Sequence, residues 1–576
     1  MTGAARSSGE GPAGVAETAL AQASWQPVLL ADRPRRLDLL RLQPRWPLTT
    51  RTVQVHRNHG FDVVTSAWRP FCAFAGLDVA ALMGPYDDSL DLDRLQNPVD
   101  LHVVSLDFER YRPRMSGADL VSWLLGRVRE LTRRSSAPVL LTNDPSPDAG
   151  TFNDQLARAA DALPDVFVAD VAAIGRELGA GFLDHRLSGV AGTSWSAAAA
   201  VAVAREFGLR WLPGLLSPPV KAVVVDLDGT LYDGVLGEDG PEGVRLTDAH
   251  AALQEHLVQL RRRGVFIGVV SRNEAADVDA LFRSRTDFPL TWDMVSAAAV
   301  DWTSKADGVA DVAAQLRIGT DAIAFLDDNP GELATVASAH PGVRTLHAAD
   351  ASSSLRALVH CPGLFRFRTT DDDARRVDDL RAARERAAQV QAASDPEDYL
   401  RSLRVELDCR VNQPGDVPRA AQLSQRTNQF TTSVMRISEG ELLRRRREGS
   451  LSFVVVALKD RLADSGTVAV VFGHQEGRRL VVEGVSISCR ALGRRIETAV
   501  VESAVALLAG DDVDEVAFLH ATGERNGPAL EWLAGYTGRA LGADGIAVVD
   551  WDARVVRSRA GERPVSITVV GEKDDD

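Results

Sequence analysis

The sequence predicts an α/β protein made of three successive α/β units. Three observations carry this reading. Short apolar runs alternate with amphipathic helices through residues 29–219, a second alternation follows whose apolar runs end in acids, and beyond residue 395 the apolar runs succeed one another closely, as in hairpins.

Residues 1–28 open with MTGAARSSGEGPAGVAE, rich in Gly, Ala and Ser, and are read as a flexible leader. In the first unit, 29–219, DLHVVSLDF and APVLLTND are expected as strands with the amphipathic helix ADLVSWLLGRVRELTRRS between them. NDQLARAADAL then forms a helix leading into the strand VFVADV. Such alternation implies a parallel sheet covered by helices. Two prolines in LLSPPVK mark the join to the second unit, 220–368, with strands expected at 222–226, 265–270 and 322–327. The segment 369–394 has Thr370 three residues before Asp373, an acidic first turn and a long polar face, so it reads as a solvated connecting helix. In 395–565, LSFVVVALKD, GTVAVVFG, LVVEGVSIS and EVAFLH are strands, with a helix at 495–508 before the last. Residues 566–576 close the chain as an acidic tail.

Composition narrows the function. The 576 residues carry a formal charge of -15, which argues against nucleic-acid binding because tracking phosphates requires a basic face. The four cysteines show no CxxC spacing, so neither a zinc site nor a disulfide framework is expected, and a cytoplasmic location follows. No apolar run is long enough for a membrane span, and the N-terminus has no basic region followed by an apolar stretch.

The motifs of the second unit are the informative ones. In VVVDLDGTLYDGVLGEDG, Asp226 and Asp228 are two apart on an extended segment, so both can face one point at the carboxyl end of a strand, where open α/β sheets bind ligands. Paired acids at one point call for a cation, and Mg²⁺ with oxygen ligands suits a site beside a phosphate. An isolated DxD is also an ordinary strand end before a turn. Ser271, however, follows the apolar run VFIGVV, Lys305 lies in DWTSKAD, and Asp327 and Asp328 follow AIAFL. Taken alone, Ser271 could be a helix cap and Lys305 a surface residue. Only 40 residues lie between Thr230 and Ser271 and 33 between Ser271 and Lys305, lengths filled by one helix and one strand, so no cap domain fits in either gap. The glycines at 234, 237, 240 and 243 suit a hairpin flap beside the acids.

In their order, DLDGT, the strand-ending Ser, the Lys and the double Asp resemble the four motifs of the haloacid dehalogenase-like (HAD) superfamily, which implies a HAD Rossmannoid domain without a large cap. The resemblance implies that Asp226 is a nucleophile accepting a phosphoryl group and Asp228 the general acid and base. Thr230, Ser271, Arg272, Asn273 and Lys305 would bind phosphate, with Lys305 also lessening repulsion around Asp226, and Asp226, the Asp228 carbonyl, Asp327 and Asp328 would hold Mg²⁺.

A narrower resemblance is carried by LYDGVLGEDGPEGVRL, VVSRNEAADV, the DW..K segment and FLDDNPGEL, together with QRTNQFTTSVMRI, DRLADSGTVAVV, ISCRALGRRIE and ATGERNGP in the third unit. These are similar to the FkbH-like subgroup. That similarity implies an enzyme that takes the glyceryl unit of 1,3-bisphosphoglycerate, removes its phosphate and loads it as a thioester on the phosphopantetheine arm of an acyl carrier protein, for polyketide or antibiotic biosynthesis of the tetronate or methoxymalonyl kind. The alternative is a HAD phosphatase acting on a free metabolite or another carrier-bound acyl unit.

The third unit resembles an acetyltransferase-like (GNAT) fold, in which Arg490, Gly493 and Arg494 of RALGRR would open a helix facing pyrophosphate or pantetheine, with Asn428 also at the arm. Many relatives have Cys immediately before the second-motif Ser; this chain has Val270 there, so an enzyme-bound thioester would fall to Cys489, whose alternative role is that of a small buried hydrophobe. The first unit resembles an SGNH or flavodoxin-like domain. It has no GDS-type nucleophile near its start, and Asp184-His185 lacks a matching Ser, so a scaffold or docking role is expected. Arg444 to Arg447 read as a solvated helix face, or as a dock for an acidic carrier.

Overall fold

The computed structural model describes residues 12–92, 95–96, 98–369, 375–392, 401–427, 429–488, 490–491, 494, 496–523, 525–542, 545–552 and 565–570. The chain forms two compact units, 1–369 and 370–576.

The first unit contains two five-stranded, wholly parallel sheets. One comprises β1 (Thr49–Arg57), β2 (Leu77–Tyr86), β3 (Leu101–Ser105), β4 (Val139–Thr142) and β5 (Val166–Ala169) in the order β2-β1-β3-β4-β5. The other comprises β6 (Ala222–Val225), β7 (Phe266–Ser271), β8 (Ala297–Val300), β9 (Ile323–Asp327) and β10 (Arg344–His347) in the order β10-β9-β6-β7-β8. β6 reads AVVV and is buried at every position, as a central parallel strand covered on both faces must be.

The two sheets share one continuous apolar core, so 29–219 and 220–368 are not separate bodies. Phe167 lies against Phe367 with ring centroids 5.2 Å apart, Arg210 stacks over Phe365, and His360 Nε2 lies 3.2 Å from Glu206 Oε1. The flexible leader is corrected in part: Pro12–Leu29 is a helix, with Trp25 and Leu29 buried in that same core and Gln26 Oε1 accepting from the His347 N–H at 3.1 Å. A Gly/Ala/Ser-rich composition concealed apolar positions that repay ordering once a partner surface is present.

Helix Lys305–Leu316 positions the site most directly. A Cβ on Gly308 would stand 2.8 Å from Val270 Cγ1, and one on Gly268 would stand 2.9 Å from Val312 Cγ1. These two glycines let the helix lie close on β7. Its N-cap Ser304 accepts from the Asp307 N–H at 3.1 Å, which starts the helix where Lys305 can reach the strand ends. The flap is also corrected: Leu236–Gly243 makes helical turns kinked at Gly240 (φ +69°), closed by an antiparallel bridge between Asp233 and Arg245, rather than a hairpin.

The second unit is a seven-stranded sheet of β11 (Val405–Val411), β12 (Ser452–Lys459), β13 (Asp464–Glu476), β14 (Arg479–Ile487), β15 (Glu515–Leu519), β16 (Ile546–Asp550) and β17 (Val565–Val570), in the order β16-β15-β14-β13-β12-β11-β17. The β11-β12-β13-β14 run is antiparallel, whereas β14 pairs parallel with β15 and β11 with β17. Two expectations change here. The tail begins later than residue 566, because 566–570 lie in β17. The connecting helix, Arg376–Ala392, is solvated on one face only: Asp378, Arg381, Arg384 and Glu385 are exposed, whereas on the other face Arg386 Nε is 2.9 Å from Asp460 Oδ2 and the Ser465 hydroxyl donates to Asp379 Oδ1 at 2.5 Å. Its charged residues looked like a wet face in sequence, yet two of them, Asp379 and Arg386, are buried ion-pair partners.

Candidate active site

In the second sheet the chain runs outward from β6 to β7 and β8, then returns to place β9 and β10 on the other side of β6. The carboxyl ends of the strands flanking that reversal are where an open α/β sheet forms a crevice. β6 runs into Asp226, β7 ends at Ser271 and β9 at Asp327, so the topology alone brings these three together.

Asp226 is buried, and its N–H donates to the Leu326 carbonyl at 3.0 Å, which ties it to β9. Lys305 Nζ lies 2.7 Å from Asp226 Oδ2 and 2.5 Å from Asp327 Oδ2. The other oxygen of Asp327 accepts from the Asn329 N–H at 2.9 Å. One buried ammonium thus faces two buried carboxylates, with Asp328 beside them. Burial pushes the Asp226 carboxyl up, as does the Asp327 charge, and Lys305 only partly opposes them. Burial likewise raises Asp327 against Lys305, and raises Asp328 with help from Asp226. Burial alone would lower Lys305, but Asp226 and Asp327 outweigh it and hold the ammonium above its ordinary value.

The site therefore carries more negative than positive charge. One oxygen from each of Asp226, Asp327 and Asp328 lies within 4.8 Å of the others. A set of hard oxygen donors with charge to spare fits Mg²⁺.

Asp228 is arranged differently. Its Oδ1 accepts from the Tyr232 hydroxyl at 2.7 Å and the Leu236 N–H at 3.0 Å, and its Oδ2 accepts from Asn273 Nδ2 at 2.9 Å. The same Asn273 nitrogen donates to Ser271 Oγ at 3.1 Å. The Asp228 side chain is thus held by the flap and by the loop after β7, and it is not one of the three clustered carboxylates. Gly229, with φ +65°, makes the turn just after Asp228; a Cβ there would stand 2.9 Å from Asp328 Oδ2. Thr230 is buried, with an Oγ1 that has no hydrogen-bond partner among the described residues.

Arg272 sits apart from this group. Its guanidinium pairs with Glu332 at 2.7 Å and its Nε donates to the Thr303 carbonyl at 3.4 Å, so its charge is already engaged at the rim. Val270 is buried and packs toward Gly308, on the opposite face of β7 from Ser271, so its side chain lies away from the acids. Sequence reasoning missed Tyr232, Glu332 and the Glu274 partner of Trp302; only Tyr232 had a signal, as a polar-tipped aromatic four residues beyond Asp228.

The second unit holds the remaining candidates. Asn428, Cys489 and Gly493 lie outside the described residues. Arg490 reaches Asp379 at 3.2 Å and the Thr467 carbonyl at 3.1 Å. Arg494 reaches Asp460 at 3.3 Å and Ser465 Oγ at 3.0 Å; burial and the neighbouring Arg386 push it down to about 10. Both arginines are buried structural partners here rather than groups presented to a ligand, which corrects their expected role at a pantetheine arm. The helix after them begins at Glu497. On the polyarginine helix, Arg444 pairs with Glu441 and Glu448, and Arg445 with Glu483, so these charges are largely matched within the unit.

In the first unit Asp184 is paired with Arg186, and a separate polar group closes the ends of β1, β3 and β4. Thr142 Oγ1 donates to Ser105 Oγ at 3.2 Å, Ser105 Oγ lies 3.0 Å from His59 Nε2, and Thr193 Oγ1 lies 3.4 Å from His59 Nδ1. All four residues are buried, and burial, with Arg57 and Arg110, pushes His59 down to about 4. Among the described residues, no helix is long and apolar enough to cross a membrane.

No family model matches the chain, and no curated protein matches it. Solved structures resemble its parts. The N-terminal part of the protein BF1531 from Bacteroides fragilis, containing a phosphatase domain complexed with Mg, is 19% identical with a TM-score of 0.46, over 62% of this chain and 99% of that one. The cobalt-bound deoxy-D-mannose-octulosonate 8-phosphate phosphatase from Haemophilus influenzae is 16% identical with a TM-score of 0.17, over 31% of this chain and 92% of that one. A GNAT family N-acetyltransferase from Escherichia coli in complex with CoA is 16% identical with a TM-score of 0.18, over 32% of this chain and 94% of that one.

Proposed function

We propose that the protein is a HAD-type, Mg²⁺-dependent phosphoryl-transfer enzyme of FkbH-like kind. In this reading it removes phosphate from a phosphoglyceryl unit derived from 1,3-bisphosphoglycerate and delivers the glyceryl group to the phosphopantetheine arm of an acyl carrier protein, in a cytoplasmic setting. The observation that carries the phosphoryl chemistry is the cluster of buried Asp226 and Asp327, both paired to the Lys305 ammonium, with exposed Asp328 beside them.

A carboxylate oxygen of Asp226 attacks phosphorus, the bond to the leaving oxygen breaks, and an aspartyl phosphate forms; water then attacks that phosphorus and releases phosphate. Lys305 holds Asp226 in place and offsets charge as the phosphoryl group arrives, with Ser271 and Asn273 beside it. Asp228 is held by Tyr232, Leu236 and Asn273 where it can exchange a proton with the leaving group and then with water. Mg²⁺ among the carboxylates would supply charge neutralisation for the phosphoryl oxygens.

The alternative, a phosphatase acting on a free metabolite or another acyl unit, is favoured by two observations. Val270 stands where relatives have a thiol and is packed away from the acids, and Arg490 and Arg494 are bound within their own unit. Intact mass spectrometry separates the readings. A pantetheinylated carrier incubated with the enzyme, Mg²⁺ and 1,3-bisphosphoglycerate made in situ should gain a glyceryl mass, absent or retained as phosphoglyceryl with Asp226→Asn. An unmodified carrier alongside phosphate release from small esters would establish the alternative.

A further inference from the structure

Trp302 is 68% exposed, yet its ring is not free, because Nε1 donates to Glu274 Oε1 at 2.7 Å. Glu274 directly follows Asn273, and Trp302 stands three residues before Lys305, so the indole is fixed between the loops that leave neighbouring strands β7 and β8. These loops are tied together: the Asp301 N–H donates to the Ser271 carbonyl at 3.2 Å, and Arg272 Nε donates to the Thr303 carbonyl at 3.4 Å. On the segment after β6, Val235 is 43% exposed, and the next residue's N–H binds Asp228. Two loops that supply the phosphoryl site therefore also present large apolar side chains to water.

An aromatic ring anchored by its N–H with its faces left in solvent is a preformed contact surface, since little side-chain freedom remains to be lost when something covers it. A compact phosphorylated molecule is spanned by the polar group of Asp226, Ser271, Asn273 and Lys305, and no inserted cap domain is there to add contacts. Only a substrate that continues outward can use the rim, and binding energy gained there can act on the reacting end.

Resting on the phosphoryl-transfer reading above, we propose that Trp302 is a substrate-contacting specificity residue that selects a phosphorylated group borne on a long, partly apolar arm over a compact phosphate. The ring's role is in binding, so it acts through KM more than kcat.

The test compares S-(3-phosphoglyceryl)pantetheine with 3-phosphoglycerate, and uses acetyl phosphate as a measure of the basic reaction. Wild-type enzyme should favour the pantetheine-borne probe in kcat/KM by about tenfold or more, an effect of the size one buried aromatic contact supplies. Trp302→Ala should remove that preference through KM while leaving both parameters for 3-phosphoglycerate unchanged, and Trp302→Phe, which keeps the ring and loses the bond to Glu274, should retain most of it. Turnover of acetyl phosphate with no preference for the arm, or equal losses on both glyceryl probes in Trp302→Ala, overturns the role of Trp302 and leaves the phosphoryl reading standing. No turnover of any of the three by wild type overturns the phosphoryl reading and this inference with it.

Discussion

The two parallel sheets of the first unit put polar residues at the same topological place and treat them in opposite ways. At the ends of β6, β7 and β9 the side chains are charged, and three carboxylates confront one ammonium. At the ends of β1, β3 and β4 they are His59, Ser105 and Thr142, neutral, mutually bonded and enclosed, with Trp195 packed on the His59 ring at 5.1 Å. The lesson is that the carboxyl edge of a parallel sheet offers a place for chemistry but does not by itself make a site. An imbalance of charge leaves something for a ligand to complete, whereas a satisfied neutral network only fixes the loops above it.

If that contrast holds, Asp226→Asn should have the largest effect, lowering phosphate release by about a thousandfold or more while leaving thermal stability unchanged or higher, because one excess buried charge is gone. Steady-state phosphate release and a melting curve on the same preparation check both halves. Lys305→Met comes next. In chelator-treated protein it leaves Asp226 and Asp327 without their cation and should cost about 3–5 kcal/mol in denaturant unfolding, with activity lost as well.

The neutral edge should respond to pH instead. His59 is pushed down to about 4 in the folded protein, below its unfolded value, so the unfolded chain takes up the proton first as pH falls. Its contribution is constant above about pH 6.5 and is lost between there and about pH 4, on the order of 3 kcal/mol in total. His59→Gln should flatten that slope in urea titrations and leave phosphate release at pH 7.5 intact; a collapse of activity would mean the closed edge takes part in the chemistry. The smallest effect is expected at Gly229→Ala, where φ +65° and the contact with Asp328 Oδ2 should cost about 1–2 kcal/mol and a severalfold loss of turnover, read by unfolding and by phosphate release.

Much of this was legible in the chain. Strands that are buried on both faces, such as AVVV and FIGVV, announce themselves as apolar runs, and the acids, Ser271 and Lys305 stand out because each interrupts or follows one. Less legible were features whose meaning depends on a distant partner. The helix Pro12–Leu29 looked like a leader because its apolar residues matter only against the core they join. The buried face of Arg376–Ala392 looked solvated because its charges pair with Asp460, Ser465 and Arg490, far along the chain. Arg272 stood in a phosphate-binding motif, yet Glu332 engages it.

By itself, then, the sequence determined the α/β class, the strands of the central sheet and the identity of the acids and the lysine, because apolar periodicity and residue type are local properties. Only the tertiary structure decided which charges face one another, that Val270 packs away from the acids, and that Trp302 is held at the rim with its ring in water. Those outcomes depend on distances between segments brought together by strand order and helix packing, and a charge or an aromatic ring acquires its role from what lies within a few ångströms of it.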